Sequence, residues 1–304
     1  MPEPSNSLIN LNLTEPATAF INRVSDAIGG LARPWQIERV AKAEAQAAIT
    51  KATAEIEIGE LGRRAVQRFV NEQVRQQQNM EQIAANAAPQ ITDAAKPNDV
   101  ESDWISSFFQ QCRNVSDAEM QKLWSAILAG EANAPGSYSR RTMVVLESLD
   151  KKDAEIFGNF CRFNWQMPVN VPVITGFTDI YTSHGVRFGD LTNLAAIGLL
   201  SLNEISGYAL KLGRSEQWIR YQNEMFRLQA IGGEQAELPV GKVMLTNAGS
   251  ELSLVIRGEP VPGFKEHVLG FWATHGWQVK ETRSISDAHP LQPSVPTNDV
   301  AVPR

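Results

Sequence analysis

The chain has 304 residues, 43% of them hydrophobic and 20% charged, with a formal net charge of −6. This length can bury a hydrophobic core, and the mildly acidic balance gives no overall electrostatic reason to expect nucleic-acid binding. No stretch approaches the ~20 consecutive apolar residues of a membrane span. The N-terminus has no basic region followed by an apolar one, so we expect a cytoplasmic protein without a secretory signal.

The first predicted element is a short amphipathic helix that follows a flexible N-terminus, residues 1–13. It begins at Thr14, with Pro16 in its first turn, and ends at Gly29 or Gly30. Its apolar face could lie on a membrane surface, so peripheral membrane contact by residues 14–31 stays open. Its polar side lacks the Lys and Arg that interfacial helices usually carry. We therefore favour packing against the protein's own core or against another copy.

A long helix is predicted next, from Trp35 to about Ala88, where Pro89 ends it. Gly59 and Gly62 predict a kink or a break within it. One domain of this size cannot cover the whole apolar stripe of such a helix. The pattern therefore predicts a helical hairpin or a coiled-coil homo-oligomer. Small and apolar residues would form the oligomer interface: Ile37, Ala41, Ala45, Ala48, Ala52 and Ile56.

Residues 103–157 predict a central bundle of short helices separated by caps. The first carries an apolar stripe at helical spacing: Trp104, Ile105, Phe108, Phe109 and Cys112. Ser116 and Glu119 predict a capping box at the start of the second helix. That helix carries Trp124 on its apolar face and is expected to end near Gly130. Ser139 is expected to cap a third helix, and Asp150 or Asp153 a fourth.

The loop after the second central helix holds a candidate polar site. Its members are Glu131, Asn133, Ser139, Arg140 and Arg141. A glutamate beside two arginines and hydroxyl groups could bind a ligand or serve an enzyme. The alternative, which we favour, is that these side chains cap helix ends and brace the loop by hydrogen bonds to the backbone.

Three stretches of this chain are long and specific: SDAEMQKLWSAILAGEANAPGSYSRRT, PATAFINRVSDAIGGLARPWQIERVAKAEA and RQQQNMEQI. They resemble a bacterial family known as domain of unknown function 2806, and the likeness covers most of residues 14–280. The resemblance implies an architecture but no established activity. The stretch MQKLWSAILAG is also similar to abortive-infection alpha proteins, which implies a role in phage defence.

The C-terminal half predicts a winged-helix-like α+β unit. A strand over Gly241–Leu245 followed by a helix capped by Thr246 is typical of the end of such domains. We thus predict a mainly α chain with a long N-terminal helix or helical hairpin, a central helical bundle and this unit. The predicted segments are residues 1–13, 14–96, 97–165 and 166–280, and a disordered tail at 281–304.

No recognised catalytic or nucleotide-binding motif occurs, so we predict no catalytic residue and no cofactor. His267 and His275 could share a helical face but lack nearby Cys or carboxylate ligands, so no metal site is predicted. Cys112 and Cys161 lie among apolar residues and are expected to be buried thiols. Trp218, Arg220 and Tyr221 combine aromatic and basic groups as a stacking site would, although a half-buried strand edge is favoured.

Three hypotheses of function follow. The first is a non-enzymatic, self-associating helical protein that acts with a partner, in phage defence for example. The second is a nucleic-acid-binding protein that uses the winged-helix-like unit, which the acidic charge and the few basic residues there disfavour. The third is an enzyme with a site near residues 131–142. We lean towards a protein without enzymatic activity.

Overall fold

The computed structural model describes residues 13–29 and 59–284, except residues 168, 214, 235 and 257. The chain divides into two units, Met1–Glu147 and Ser148–Arg304. The finer division into five segments stays a prediction. No helix in the described ranges is both long and apolar enough to cross a membrane.

The first unit is built from helices. They are α1 (Glu15–Ile28), α2 (Glu60–Ala87), α3 (Ser102–Cys112), α4 (Ala118–Asn133) and α5 (Arg140–Glu147), with 3₁₀ turns at Ala88–Gln90 and Pro97–Asp99. Thr14 caps α1 by accepting a hydrogen bond from the amide of Ala17, and Gly29 ends it in the left-handed conformation, as predicted. The apolar face of α1 is buried in the protein.

Helix α2 begins directly after Gly59, whose backbone is not helical, so a helix boundary lies at this glycine. Gly62, the other residue of the predicted break, lies inside α2. The first half of the predicted long helix, from Trp35, lies outside the described residues. The predicted oligomer interface lies there too: Ile37, Ala41, Ala45, Ala48, Ala52 and Ile56.

Aromatic rings form the core of the first unit, where α3 meets α4. Trp104 stacks on Phe108 with 5.2 Å between ring centroids, and Phe108 meets Trp124 edge to face at 5.2 Å. Trp124 has no exposed surface, which confirms its place on the apolar face of its helix. The predicted apolar stripe of α3 is buried over its whole length.

Two predicted helix boundaries are wrong. The N-cap of α4 is Asp117 rather than Ser116, because the Asp117 carboxylate accepts the amides of Glu119 and Met120 at 3.0 and 3.1 Å. The helix also continues through Gly130 to Asn133. The glycine is needed there for packing rather than for helix termination, because the ring of Tyr138 lies directly against it.

The second unit combines helices and strands. The helices are α6 (Lys151–Cys161), α7 (Asp179–Thr182), α8 (Phe188–Ile197), α9 (Asn247–Ser253) and α10 (Phe264–Thr274). The strands are β1 (Asn164–Gln166), β2 (Asn170–Pro172), β3 (Leu200–Leu202), β4 (Tyr208–Lys211), β5 (Glu216–Tyr221), β6 (Glu224–Ala230), β7 (Glu237–Gly241), β8 (Val243–Leu245) and β9 (Trp277–Ser284). Asp150 and Asp153 form a capping box at the start of α6, and Thr246 caps α9.

The prediction of a mainly α chain with a winged-helix-like unit is wrong, because the described residues form an α+β fold with nine strands. Five of them make one antiparallel sheet in the order β2-β1-β5-β6-β9, while β3 pairs with β8 and β4 with β7. The single strand predicted over Gly241–Leu245 is two strands that belong to different sheets. The longest ladder joins β6 to β9.

The five-stranded sheet and α10 enclose the core of the second unit. Trp165 of β1 is its centre, with ring centroids 5.0 Å from Tyr221, 5.4 Å from Phe226 and 4.9 Å from Trp272. Each of these four side chains is buried. The dense aromatic packing fixes the helix on one face of the sheet.

Candidate functional site

The predicted polar site is built around the loop that follows α4. Glu131 is only 3% exposed, and its two carboxylate oxygens accept the backbone amides of Gly136 at 2.6 Å and Tyr138 at 3.0 Å. Hydrogen bonds from amides to a carboxylate are strong because one partner is charged. The Glu131 carboxylate therefore holds the loop closed.

Asn133 and Ser139 also bond to the backbone. The Asn133 side-chain oxygen accepts the amide of Thr92 at 2.8 Å, and its nitrogen donates to the carbonyl of Gln90 at 3.0 Å. The hydroxyl of Ser139 accepts the amide of Thr142 at 3.3 Å, which caps α5 as predicted. Both side chains thus satisfy backbone groups that would otherwise lack partners.

The two arginines of this group lie at the surface. Arg140 forms an ion pair with Asp103 at 3.7 Å, in which both side chains are more than half exposed, and Arg141 is exposed. Exposed pairs contribute little to stability. The fold thus brings the five predicted residues into one region, where Glu131, Asn133 and Ser139 bond to the backbone and so brace the loop. A ligand-binding or catalytic role for them stays a prediction.

Tyr138 is the residue that this brace positions. Its backbone carbonyl accepts the indole N–H of Trp104 at 2.6 Å. Its ring lies against Gly130 so closely that an added Cβ would stand 2.8 Å from it. The loop is thus locked onto the aromatic core of the first unit.

Among the described residues of the first unit, helix α2 carries the most exposed large apolar side chains. Leu61 is 74% exposed and Phe69 is 61% exposed. The buried residues of the helix start only at Gln76 and continue to Ala87. The helix has 28 residues, about 42 Å of length. Its first half therefore presents apolar side chains to solvent, while its second half belongs to the core.

Polar contacts fasten α2 at the point where its burial begins. Gln76 donates to the side chain of Asn114 at 3.1 Å, and Asn79 donates to the carbonyl of Arg113 at 2.9 Å. Gln121 of α4 donates to Asn79 at 3.4 Å. These buried amides set the register between α2 and α4, so the direction of the exposed half is fixed by the core.

The exposed half of α2 also carries a basic groove. It is an open concavity of about 680 Å³. Among the described residues it is lined by Arg64, Gln67, Arg68, Asn71, Glu72 and Arg75. The sequence predicts that the polar stretch from Arg75 to Asn79 is exposed or at a polar contact between helices, but it does not predict a basic groove. The recurrence of arginines at helical spacing was the available signal.

A second concavity, of about 650 Å³, lies between α1 and the start of α3. Its charged side chains are Arg23, Asp26 and Asp103. The Arg23 guanidinium donates to the carbonyl of Val100, with Nε at 2.9 Å. The cation that could attract a ligand is thus bonded to the backbone.

In the second unit, His267 contacts a hydroxyl rather than a metal ligand. Its Nε2 lies 2.9 Å from Thr175 Oγ1, which lies 3.1 Å from the Tyr181 hydroxyl. That hydroxyl donates to the carbonyl of Val173 at 3.1 Å. Burial raises the pKa of Tyr181 above its ordinary value, so this phenol stays protonated. The cluster ties α10 to the segment after β2, and 92 positions separate Thr175 from His267.

The three residues predicted as a stacking site are divided by the sheet. Tyr221 is buried, and its hydroxyl donates to the carbonyl of Arg162 at 3.2 Å. Trp218 is half-buried, with the guanidinium of Arg283 at 4.8 Å from its ring centroid. One aromatic ring is thus in the core, and the other is covered by an arginine of β9, the edge strand of the same sheet.

Comparison with known proteins gives one match. A model of the family described as "Protein of unknown function (DUF2806)" matches residues 63–268. The matched segment includes most of α2, the aromatic cluster of α3 and α4, and the five-stranded sheet except β9. A search of curated proteins and a search of solved structures gave no match.

Proposed function

Since the chain belongs to the DUF2806 family of proteins of unknown function, we propose from its geometry that it is a non-enzymatic protein that self-associates through α2. The observation that carries the proposal is the exposure of Leu61 and Phe69 on one helix. Burying a leucine or phenylalanine side chain contributes about 1.5–3 kcal/mol. Contiguous exposed apolar surface favours association, and Leu61 and Phe69 lie on one side of the same helix.

A second copy of the chain fits this surface. Leu61, Ala65 and Phe69 are spaced by four residues and so form one stripe along the helix. A twofold axis at Ala65, with two helices antiparallel, sets Leu61 of each copy opposite Phe69 of the other. The small Ala65 side chain lets the helices approach at the axis. Such an interface is closed and self-complementary.

The charges beside the stripe are compatible with this pairing. In the antiparallel arrangement Arg63 stands opposite Gln67, Arg64 opposite Val66 and Arg68 opposite Gly62. No arginine then stands directly opposite an arginine, which limits the repulsion between like charges. The non-enzymatic part of the proposal is supported by the brace at Glu131, where backbone amides occupy both carboxylate oxygens.

Light scattering on the purified chain tests the proposal. We expect a particle whose mass is a multiple of 33.5 kDa. The double variant Leu61→Glu, Phe69→Glu should be a folded monomer. It places charges in the seam, the contact that Leu61, Ala65 and Phe69 form between the two helices. The matched control is Ile205→Glu, Ile231→Glu, which changes two exposed residues of the second unit, 95% and 65% exposed. It should keep the wild-type mass.

Two outcomes contradict self-association. One is a monodisperse wild-type monomer at micromolar concentration. The other is an oligomer that the Leu61, Phe69 variant leaves intact. A monomer that captures a different protein through the same two residues would instead identify α2 as a site for a separate partner.

The cytoplasm and a role in phage defence are the setting in which we propose that the assembly acts. The defence role is proposed only from the resemblance of residues 120–130 to abortive-infection alpha proteins that the sequence suggests. Plating a panel of phages on cells with and without the gene measures it. Protection by the wild type, and its loss in the Leu61, Phe69 variant, is the expected result. Equal plaque counts with and without the gene across the panel would count against the defence role.

A further inference from the structure

Three arginines of α2 share one face of the helix. Arg64 and Arg68 are four residues apart, and Arg75 follows seven residues later, which is two turns. All three side chains are exposed. In the described part of the chain, none of the three has an ion pair or a side-chain hydrogen bond with a neighbour. Their charges are therefore available to an external anion.

The residues around Arg64, Arg68 and Arg75, which together form an arginine stripe, leave this part of the helix basic. Residues 60–76 hold four arginines against two glutamates, within a chain whose net charge is −6. One of those glutamates, Glu72, accepts the side-chain amide of Gln76 at 3.4 Å. The positive charge is thus local to this helix and is hidden in the overall balance.

We propose that this arginine stripe binds the phosphate backbone of a nucleic acid. Arg64 and Arg75 are separated by about 16 Å along the helix axis, too far apart to converge on one phosphate group. The stripe matches an extended anion instead. A duplex of the same length carries roughly nine phosphate charges, so each guanidinium can reach its own phosphate.

The groups between the arginines favour a nucleic acid over an anionic membrane. Gln67 and Asn71 are exposed on the same face, and Gln67 donates to Asn71 at 3.0 Å. Such amides bond to phosphate and sugar oxygens of nucleic acids. A helix on a membrane surface places its apolar face in the lipid. On α2, Val66, Val70 and Val74 are half-buried in the protein and lie away from the arginine face. The exposed Leu61 and Phe69 are the residues that we assign to self-association.

In the antiparallel pairing at Ala65, Arg64 and Arg68 lie beside the seam and Arg75 lies beyond its end. The inference does not require this pairing. A monomer would bind through the same three side chains, with lower avidity.

The test is the salt dependence of binding by the full-length chain. The probe is a fluorescently labelled DNA duplex of arbitrary sequence, and anisotropy gives the Kd. Three phosphate contacts predict a slope of about −2.7 in log K against log salt, which is roughly a 40-fold loss of affinity between 50 and 200 mM salt. Two chains on one duplex would give a steeper slope.

Variants assign the slope to the stripe. Arg64→Gln, Arg68→Gln, Arg75→Gln should lower the slope by about 2.7 per bound chain. The control Lys152→Gln, Lys211→Gln, Lys280→Gln removes the same charge from three exposed lysines of the second unit. It should keep the wild-type slope. All six positions are exposed, so circular dichroism should show unchanged folding.

Three results would overturn the inference. The first is no binding of the duplex at about 50 mM salt. The second is an equal loss of slope in both triple variants, which would assign the effect to net charge. The third is binding to vesicles that contain phosphatidylserine with none to the duplex, which would assign the stripe to a membrane surface.

Discussion

Single residues decide how the loop after α4 is held. Tyr138 is fixed by three contacts of different kinds: its amide bonds to Glu131, its carbonyl bonds to Trp104 and its ring lies on Gly130. Removing any one contact leaves a polar group without its partner or forces a buried ring to move. The stability of the first unit should therefore depend on Glu131 more than on the exposed arginines beside it.

Replacing Glu131 by glutamine tests this dependence. The amide nitrogen of glutamine cannot accept a hydrogen bond, so one of the two backbone amides loses its partner. We expect Glu131→Gln to lower the free energy of unfolding by about 1–3 kcal/mol in denaturant melts. The exposed control Arg141→Gln should change it by less than about 0.5 kcal/mol. Unchanged stability with lost cellular function would favour a binding or catalytic role for Glu131.

At the scale of secondary structure, the sequence predicted helices better than strands. The caps of α1 and α9, and the apolar spacing of α1, α3 and α9, were visible in the sequence because each helix repeats its pattern over several residues. Strands β1, β2, β3 and β8 have three residues each. Three residues cannot display alternation, and β3 pairs with β8, which is more than 40 residues away, Leu200 with Leu245. The mixed fold was therefore hidden behind the helical signals.

The predicted sites show the same limit. Glu131 and Ser139 came together because they are close in sequence. Thr175 and His267 are joined only by the packing of α10, and no local pattern could reveal it. The spacing of the arginines of α2 was visible in the sequence, but the net negative charge of the chain hides their local positive charge.

The boundary between β7 and β8 depends on Gly241. Its φ is +101°, and an added Cβ would stand 1.9 Å from the carbonyl oxygen of Ile174. Gly241→Ala should therefore destabilise the second unit by more than about 1–3 kcal/mol, the cost of backbone strain alone. Gly158→Ala is the matched control, because its Cβ would meet no atom within 4 Å. Thermal melts that rank the two variants equally would contradict this role of Gly241.

At the scale of the whole molecule, each unit buries weakly acidic side chains, namely cysteine thiols and tyrosine hydroxyls, in its core. Burial raises the pKa of Cys112 in the first unit, and of Cys161, Tyr181 and Tyr221 in the second. A raised pKa means that the folded state favours the neutral form. The stabilisation is complete below the unfolded values, about 8.5 for cysteine and 10 for tyrosine, and is lost at higher pH.

The free energy of unfolding should therefore fall as the pH rises above about 8.5. Urea melts between neutral and alkaline pH measure the fall. Tyr181→Phe removes one of the four groups, so its stability should depend less steeply on pH than that of the wild type. A flat profile through pH 10 would contradict the burial of these groups as a source of stability.

The two cysteines of the chain are free and buried, one in each unit. A thiol reacts with an alkylating reagent as its thiolate, which burial disfavours. Modification of Cys112 thus requires the first unit to open, and modification of Cys161 requires the second. The modification rate of each thiol therefore reports how often its own unit opens. Equal modification rates of the two thiols would indicate that the two units open together, and different rates would indicate that they open independently.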